Sequence, residues 1–397
     1  AGPALGISAL GSFVAGTFAI VALMLVAPML AQVAVAFGPP EYFSLMVLGL
    51  TILSFLTQGS MAKALLMAAV GVVVGLIGLD QITAMPRLTF DRLELVDGIG
   101  LVPVVMGLFG VAEILANIEQ QIRRDIVQSR IGSLWPSRED LKASAGPVGR
   151  GTLLGFLLGV LPGGGAVIAS FASYAMEKKL SRTPERFGKG AIEGVAGPEA
   201  ANNAAAGGAF IPLMTLGIPP NVIMALLLGA FVIHGLQPGP LMMSQNPKVF
   251  WGIVASMYVG NIMLLVLNMP LIGMWVQVLK APYRILFPLI LMFCIVGVFA
   301  SGNAVFDVFV MIGTGLLGYL MRKFGYEAAP LVLAFVLGPM LENNLRKSLI
   351  LSQGSFEIFV VRPISVACLA VAVFLLIAPL LPALRKKREK VALDVTE

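Results

Sequence analysis

Charged residues are scarce in this chain and are missing altogether from long stretches of it. Only 12% of the 397 residues are Asp, Glu, Lys or Arg, whereas a soluble domain carries about a quarter. Seven stretches of more than 20 residues hold no charge: 1–40, 42–62, 151–176, 200–247, 249–279, 285–306 and 363–384. A membrane-spanning helix needs about 20 apolar residues. Seven such stretches cannot share one soluble core, so the sequence predicts an integral membrane protein.

The charge-free stretches also lack the alternation of apolar and polar residues that strands of a membrane barrel require. They are apolar on all sides, as in 18–30 and 366–381. Helices satisfy their own backbone hydrogen bonds, which lipid cannot do. We therefore expect an all-α polytopic membrane protein.

Histidine and cysteine are nearly absent, which excludes most catalytic and metal-binding arrangements. His234 is the single histidine, and it is interpreted as a packed or interfacial residue rather than a proton relay. Cys294 and Cys368 lie in apolar stretches, and their spacing indicates neither a disulfide framework nor a metal site. Phosphate-binding loops, His-Glu-x-x-His helices and Gly-x-Ser-x-Gly elbows are missing. We expect no enzyme, no cofactor and, because the net charge of +6 lies in loops, no nucleic-acid partner.

The basic residues that are present predict the orientation of the helices, since Lys and Arg accumulate on the cytoplasmic side. They cluster in 118–150, 177–199 and the tail at 385–388, whereas 80–99 has four acids and two arginines. The first two segments and the tail are therefore predicted to be cytoplasmic, and 80–99 external. About ten spans are predicted: 5–36, 42–62, 64–79, 100–117, 221–240, 250–278, 285–304, 308–321, 328–341 and 364–383.

Three regions follow from this pattern. Residues 1–150 hold the first helices and a basic cytoplasmic loop, and the abrupt apolar start at Ala1 leads us to expect that the natural N-terminus is missing. Residues 151–240 are rich in Gly, Pro and Asn, and 241–397 hold the last helices and the basic tail. No cleavable signal peptide is expected, because the start has neither basic residues nor a processing site.

The segment 151–176 does not fit a simple span, because basic loops flank it on both sides. Its centre, Leu161-Pro-Gly-Gly-Gly165, breaks a helix, so a re-entrant hairpin is expected, with a kinked complete span as the alternative. Gly151, Gly155, Gly159 and Gly163 recur every four residues, which favours close helix packing.

The break marks a candidate binding site, because irregular backbone at membrane depth is tolerated only beside protein or a water-filled cavity. The helix that restarts near residue 166 points its partly positive N-terminus at the break, which favours an anionic ligand. The predicted substrate-binding residues are Pro162, Gly163, Gly164, Gly165, Ser170, Ser173, Tyr174, Asn202, Asn203 and Pro219. Alternatively, the hydroxyls of Ser170, Ser173 and Tyr174 form hydrogen bonds only within their own helix and bind no ligand.

A second break is predicted in 197–220. Gly197-Pro-Glu199 is interpreted as a helix start, and interruptions are expected around Pro212 and at Gly217-Ile-Pro-Pro220. Glu199 lies three residues before Asn202 and four before Asn203. It is the candidate for coupling to a cation or proton, and the alternative is that it caps a helix at the membrane interface. Two broken helices with converging ends are typical of secondary transporters. The polar stretch 341–348 is either a loop or a further part of the site.

Several of these motifs resemble the large membrane subunit of tripartite tricarboxylate transporters. They are 161–166, Ser173-Tyr174, 187–190, Gly197-Pro-Glu-Ala-Ala-Asn-Asn203, 211–213, 216–219, 235–240 and 337–348. The resemblance covers nearly the whole chain. An earlier motif of the family that resembles 161–166 and forms the other half of an internal repeat is not found here, in keeping with a missing N-terminal part.

The resemblance implies an inverted-repeat transporter fold in the bacterial inner membrane. It implies import of a small di- or tricarboxylate, driven by a gradient of Na⁺ or H⁺. It also implies two partners, a small four-helix membrane subunit and a periplasmic solute-binding protein. A passive channel or scaffold, and an intramembrane enzyme, are the alternatives.

Overall fold

Helices dominate the computed structural model, which describes residues 2–56, 60–80, 82–119, 134–161, 165–278 and 283–378. In chain order they are α1 (Gly2–Ala34), α2 (Pro39–Leu56), α3 (Met61–Gly75), α4 (Leu101–Val105), α5 (Ala112–Glu119), α6 (Arg138–Val160), α7 (Ala166–Leu180), α8 (Glu193–Gly208), α9 (Phe210–Leu216), α10 (Val222–Ile233), α11 (Met242–Gln245), α12 (Pro247–Val278), α13 (Tyr283–Gly302), α14 (Val305–Lys323), α15 (Ala328–Leu351), α16 (Ile358–Val361) and α17 (Pro363–Ile377). A π-helical segment, Met106–Val111, joins α4 to α5. The short strands β1 (Gly78–Leu79) and β2 (Pro86–Arg87) pair antiparallel, and 3-10 turns cover Leu93–Leu95 and Pro184–Arg186.

The expected all-α polytopic architecture is confirmed. Within the described residues, six helices are long and apolar enough to cross a membrane: Gly2–Ala34, Leu101–Glu119, Pro247–Ile272, Ile285–Gly302, Val305–Lys323 and Ala328–Leu351. Four shorter apolar helices accompany them: Pro39–Phe55, Met61–Gly75, Val222–Ile233 and Pro363–Ile377. Each of the ten predicted spans overlaps one of these helices. The number that crosses the bilayer, the inverted repeat and the division into three regions stay predictions.

Three boundaries differ from the sequence-based expectation. The predicted span at 221–240 contains only α10, whose 12 residues extend about 18 Å. In contrast, α15 continues to Leu351, so the polar stretch 341–348 is helical and the loop interpretation is wrong. The helix α17 ends at Ile377, and the last residues of the predicted span lie outside the described part of the chain.

The glycine pattern of α6 packs directly against α8. A Cβ added at Gly151, Gly155 or Gly159 would overlap the backbone of residues 197, 201 or 205, respectively. The partner lies 46 positions further along in each case, so the two helices run parallel. Small residues allow the backbones to approach this closely. The predicted packing role is thus confirmed for these three glycines, while Gly163 lies outside the described residues.

A second pair of parallel helices, α3 and α15, is built in the same way. A Cβ at Gly71 would overlap the carbonyl of Leu331, and a Cβ at Gly75 would overlap that of Phe335. Gly338 of α15 in turn faces the backbone of Val72.

The chain reverses direction between α6 and α7. Arg150, ten residues before the end of α6, binds Glu177, eleven residues after the start of α7, with an Nη2–Oε2 distance of 2.6 Å. Such a pair requires antiparallel helices, so the described parts of 151–176 are the two arms of a hairpin, and the interpretation as a kinked complete span is wrong.

The expected helix start at Gly197 is also wrong, because α8 already begins at Glu193. Pro198 lies inside the helix, and Glu199 stands in its second turn rather than at its N-terminus. The predicted interruption before Pro212 falls at Ala209, between α8 and α9, and Pro212 occupies the first turn of α9.

Helix α1 packs along α8 and α12, and one apolar cluster joins α1 to α9 and α12. Leu23, Ile211, Met214, Phe250 and Val254 are all buried in it. The cluster fixes α1 and the α8–α9 junction against each other, which positions the candidate site described next.

Candidate functional site

The candidate site begins where α7 starts. Gly165 precedes α7 with φ +46° and ψ 157°, a conformation that glycine adopts readily, and no side chain caps the helix. Among the described residues, the first N–H groups of α7 therefore have no side-chain acceptor. Pro162, Gly163 and Gly164 lie outside the described residues, so the backbone of the predicted break itself is not placed.

Ser170 and Asn202 are brought together by the crossing of α7 and α8. Asn202 Nδ2 lies 3.3 Å from Ser170 Oγ, and this hydroxyl lies 3.0 Å from the carbonyl oxygen of Ala166 and 3.1 Å from that of Pro198. The hydroxyl can donate to only one carbonyl at a time, and it accepts from the amide. Both side chains are half-buried. The predicted proximity of these two residues is thus found in the structure.

Asn203 points the other way, toward α1. Its Nδ2 donates to Ser12 Oγ at 2.8 Å and to the carbonyl of Glu199 at 3.1 Å. Ser12 Oγ donates to Glu199 Oε1 at 3.1 Å. Glu199 and Asn203 therefore share one hydroxyl, while the neighbouring Asn202 belongs to the contact with α7. Sequence reasoning missed Ser12, because it lies in an apolar stretch far from the motif.

Ser173 and Tyr174 lie on α7 but do not join the contact between Ser170 and Asn202. Ser173 is fully buried against Gly197, and its Oγ has no hydrogen-bond partner among the residues that the structure describes. The ring of Tyr174 packs edge-on against Phe187, with the centroids 5.5 Å apart. Their predicted role in substrate binding stays a prediction.

Pro219 is placed away from this contact. It follows Gly217, which ends α9 with φ +70°. The adjacent Ile218 packs with Met46 of α2 and with Leu333 of α15. The structure thus surrounds the turn of Pro219 with α2 and α15, not with α7.

Buried oxygen atoms without hydrogen-bond partners concentrate around the same three helices. Among the described residues they are Ser144 Oγ and Thr152 Oγ1 on α6, Ser173 Oγ on α7 and Glu193 Oε2 on α8. Buried polar atoms are usually paired, so each of these four is a place where water or an ion can bind. No three His, Cys, Asp or Glu side chains come together as metal ligands in the described part of the chain.

A second polar cluster, the clamp, joins the segment after α3 to α15 and consists of Asp80, Arg87, Glu342 and Arg346. Arg87 binds Asp80 through Nη2 and both oxygens of Glu342 through Nη1, at 2.9 Å. Arg346 Nη1 donates to Asp80 Oδ2 at 2.6 Å. The backbone N–H of Thr83, together with Arg346 and the N–H of Ile82, holds the pKa of Asp80 well below its usual range. The 341–348 stretch thus takes part in a fully paired ionic network that the sequence did not reveal.

Two cavities lie near these clusters. One of about 580 Å³ runs between the segment 75–101, α10 and α15, and Arg87, Asp97 and Glu342 form part of its wall. Another, of about 540 Å³, separates α1 from α6 and is apolar except for Ser144 and Thr152. The predicted substrate-binding residues line neither cavity.

Comparison with known proteins identifies the family. A profile of the tripartite tricarboxylate transporter TctA family matches residues 1–333. An uncharacterised 52.8 kDa protein of Agrobacterium vitis, named for the TAR-I ttuC′ 3′ region, is 51% identical over 394 residues, which are 99% of this chain and 78% of the relative. A protein named for the TAR-II ttuC′ 3′ region of the same organism is 53% identical over 240 residues, 60% of this chain and 99% of the relative. No solved structure matches the chain.

The family consists of transporters, not enzymes, and the apolar helices agree with a multi-pass membrane protein. The resemblance noted in the sequence is therefore confirmed: the chain belongs to the tripartite tricarboxylate transporter TctA family, the large subunit of these transporters.

Proposed function

We propose that this chain is the permease subunit of a secondary transporter in the bacterial inner membrane. It imports a small di- or tricarboxylate that a periplasmic binding protein delivers, and a Na⁺ or H⁺ gradient drives the import. A small four-helix membrane subunit completes the assembly. The observation that carries the proposal is the contact between Ser170 and Asn202 beside the reversal of the chain between α6 and α7.

The depth of the reversal supports a site near the bilayer centre. Arg150 and Glu177 carry charge and belong at the membrane boundary, where basic loops begin. From Arg150 to Leu161 the chain rises 11 residues, about 17 Å of helix. The hydrocarbon core is about 30 Å thick. The tip of the hairpin is therefore expected about halfway across, where transporters of this kind bind substrate.

The groups at the tip suit a carboxylate. The N-terminus of α7 offers uncapped N–H groups and a partial positive charge. Ser170 lies about one turn into the helix, and Asn202 Nδ2 donates to it over a long 3.3 Å. Asn202 has no other hydrogen-bond partner among the described residues, so its amide can turn toward a ligand. A substrate carboxylate would accept from this amide and from the helix N-terminus.

Glu199 supplies the candidate for ion coupling. Its Oε1 accepts from Ser12, whereas Oε2 has no partner among the described side chains and is free to bind Na⁺ or a proton. Asn203 connects Glu199 to the next turn of α8, beside Asn202. Ion binding at Glu199 and substrate binding at Asn202 would therefore act on the same segment of α8.

Uptake by the reconstituted three-part assembly tests the proposal. Labelled di- and tricarboxylates would be added in turn outside the vesicles, with the Na⁺ and H⁺ gradients imposed or collapsed. We expect accumulation only with a gradient, and its loss in Asn202→Ala with normal membrane insertion. Asn268→Ala, on an exposed face of α12, is the matched control and should accumulate substrate normally.

Two results would contradict the proposal. Equilibration without accumulation in the wild type would favour a passive channel. Unchanged uptake by Asn202→Ala would remove this residue, and with it the contact to Ser170, from the substrate site.

A further inference from the structure

The segment 78–98, which we call the clamped loop, exposes more large apolar surface than a free loop outside the membrane normally does. Phe90 is 78% exposed and Leu93 86% exposed, and Met85 is 67% exposed. Leu79, Ile82 and Leu88 are exposed as well. Contiguous apolar groups on a surface mark an interaction site.

The charges on the loop argue against lipid as the occupant. Asp91, Glu94 and Asp97 accompany the apolar side chains. Of the two arginines of the loop, Arg87 is bound to Asp80 and Glu342 in the clamp, and Arg92 is the other. Segments that lie on membranes carry Lys and Arg, because headgroups are frequently anionic. Three carboxylates beside Phe90 and Leu93 instead suit a protein surface that surrounds its apolar pockets with basic residues.

The loop is held in one conformation. Ala84, Leu88, Phe90 and Asp91 all have φ between +49° and +57°, which side chains other than glycine rarely adopt. Such a conformation persists only where the surroundings fix it. The clamp does this, because Arg87 and Arg346 tie Asp80 to α15 while Asp80 binds the N–H groups of Ile82 and Thr83. A surface that is ordered in advance loses less entropy on binding.

The clamped loop also forms the rim of a cavity. Leu79, Arg87, Val96 and Asp97 line the 580 Å³ cavity whose inner walls are α10 and α15. Phe90 and Leu93 lie between the lining residues Arg87 and Val96 in the chain, so a protein seated on them would stand beside this opening. The loop was predicted to be external from its charge, on the side from which substrate arrives.

We propose that the clamped loop is the docking surface for the soluble protein that delivers the substrate, which binds Phe90 and Leu93 in apolar pockets and faces Asp91 and Glu94 with basic side chains. This inference rests on the proposed function for the identity of the partner. It adds the surface, the anchoring residues and the charge of the partner's rim.

Binding measurements on the full chain in nanodiscs, with the small membrane subunit present, test the docking surface. The probe is the purified periplasmic solute-binding protein of the same transporter. We expect Phe90→Ser combined with Leu93→Ser to weaken its binding at least tenfold, and Glu94→Lys to weaken it less. Phe324→Ser is the matched control and should bind normally, because this residue is 64% exposed and lies beside Lys63, at the opposite end of α3 from the clamped loop.

The outcomes separate this inference from the proposed function. Unchanged binding by the double variant, with uptake intact, overturns the docking surface alone. Weakened binding by the double variant supports it even if no carboxylate accumulates. In a Phe90→Trp variant, brominated lipids could quench the tryptophan fluorescence more than in the wild type. That result would show that lipid covers the loop and would also overturn the inference. Equal melting temperatures of all variants exclude a folding defect as the cause.

Discussion

The helix pairs α6–α8 and α3–α15 each meet along a row of glycines, which we call the glycine seam. The two seams pack in the same way but differ in the polar groups beside them. In both pairs the helices run parallel, and glycines of one helix lie against carbonyl groups of the other. Beside α6–α8, buried oxygens of Ser144, Thr152, Ser173 and Glu193 have no partner within the described part of the chain. Beside α3–α15, Asp80, Arg87, Glu342 and Arg346 pair completely.

The difference separates a packing device from a functional signal. Glycine seams occur in both regions, so close packing alone does not locate a site. Unpaired buried oxygens distinguish the α6–α8 region, and each one lowers stability unless water, an ion or a ligand binds it. The paired network fixes α15 and the clamped loop instead. Stability is therefore expected to reside in both seams, and ligand-dependent change in the α6–α8 region.

The largest expected effect is that of filling the α6–α8 seam. Gly155→Leu would force a side chain into the backbone of Ala201, which cannot rotate away as a side chain could. We expect the free energy of unfolding to fall by about 3 kcal/mol or more, at the upper end of overpacking effects. The melting temperature and the monodispersity of the purified protein in detergent would measure this loss.

Gly149→Leu is the matched control for this substitution. It lies on the same helix, is exposed, and a Cβ added there meets nothing within 4 Å. Its melting temperature should equal that of the wild type. If Gly155→Leu were as stable as Gly149→Leu, the close approach of α6 and α8 would be refuted.

A smaller effect is expected where the hairpin is held by charge. Arg150→Ala would leave the carboxylate of Glu177, which is 3% exposed, without its partner. Breaking a buried pair costs about 3–5 kcal/mol, but the Arg150 side chain is 45% exposed, so solvent screening lowers the expected cost to about 1–2 kcal/mol.

The double variant Arg150→Ala with Glu177→Gln sharpens this test. Removing the buried charge together with its partner should restore part of the melting temperature lost in Arg150→Ala. Uptake should decrease with the single variant, since the hairpin positions Ser170. A double variant that is less stable than Arg150→Ala would show that the charge of Glu177 is not what destabilises the single variant.

Much of the fold could be predicted from the sequence because lipid imposes simple rules. The length of the apolar stretches predicted where the helices lie. The four-residue glycine spacing predicted close packing, and the structure shows that these glycines meet Ala201 and Ala205 of α8. The boundary of α8 was wrong because Gly197-Pro198 usually begins a helix. Here Gly197 is required at the crossing with Ser173 and Glu177, and the contacts of α8 with its neighbours outweigh the local propensity.

The candidate site was only partly predictable for a related reason. Ser170 and Asn202 could be proposed because each lies in a polar motif within an apolar segment. Ser12 could not, since its role depends on α1 passing α8 at Asn203, 191 positions away in sequence. The ionic network likewise joins Asp80 to Arg346, 266 positions apart, and no local pattern indicates such a pairing.

The smallest expected effect concerns the paired network beside α3–α15 and its dependence on pH. The hydrogen bonds to Asp80 lower its pKa, so its contribution to loop order is complete above the unfolded pKa of about 4 and is lost as pH falls through the lower folded pKa. Protection of 78–98 from hydrogen exchange should therefore stay constant from about pH 8 to about pH 5. Asp80→Asn should reduce this protection at every pH, and it should lower the melting temperature less than Arg150→Ala does, because the glycine seam persists. Asp97→Asn, at an exposed carboxylate of the same loop, should leave protection unchanged.

A loss of protection between about pH 8 and pH 5 in the wild type would mean that a group other than Asp80 holds the loop. The contrast between a paired and an unpaired region would then need another basis.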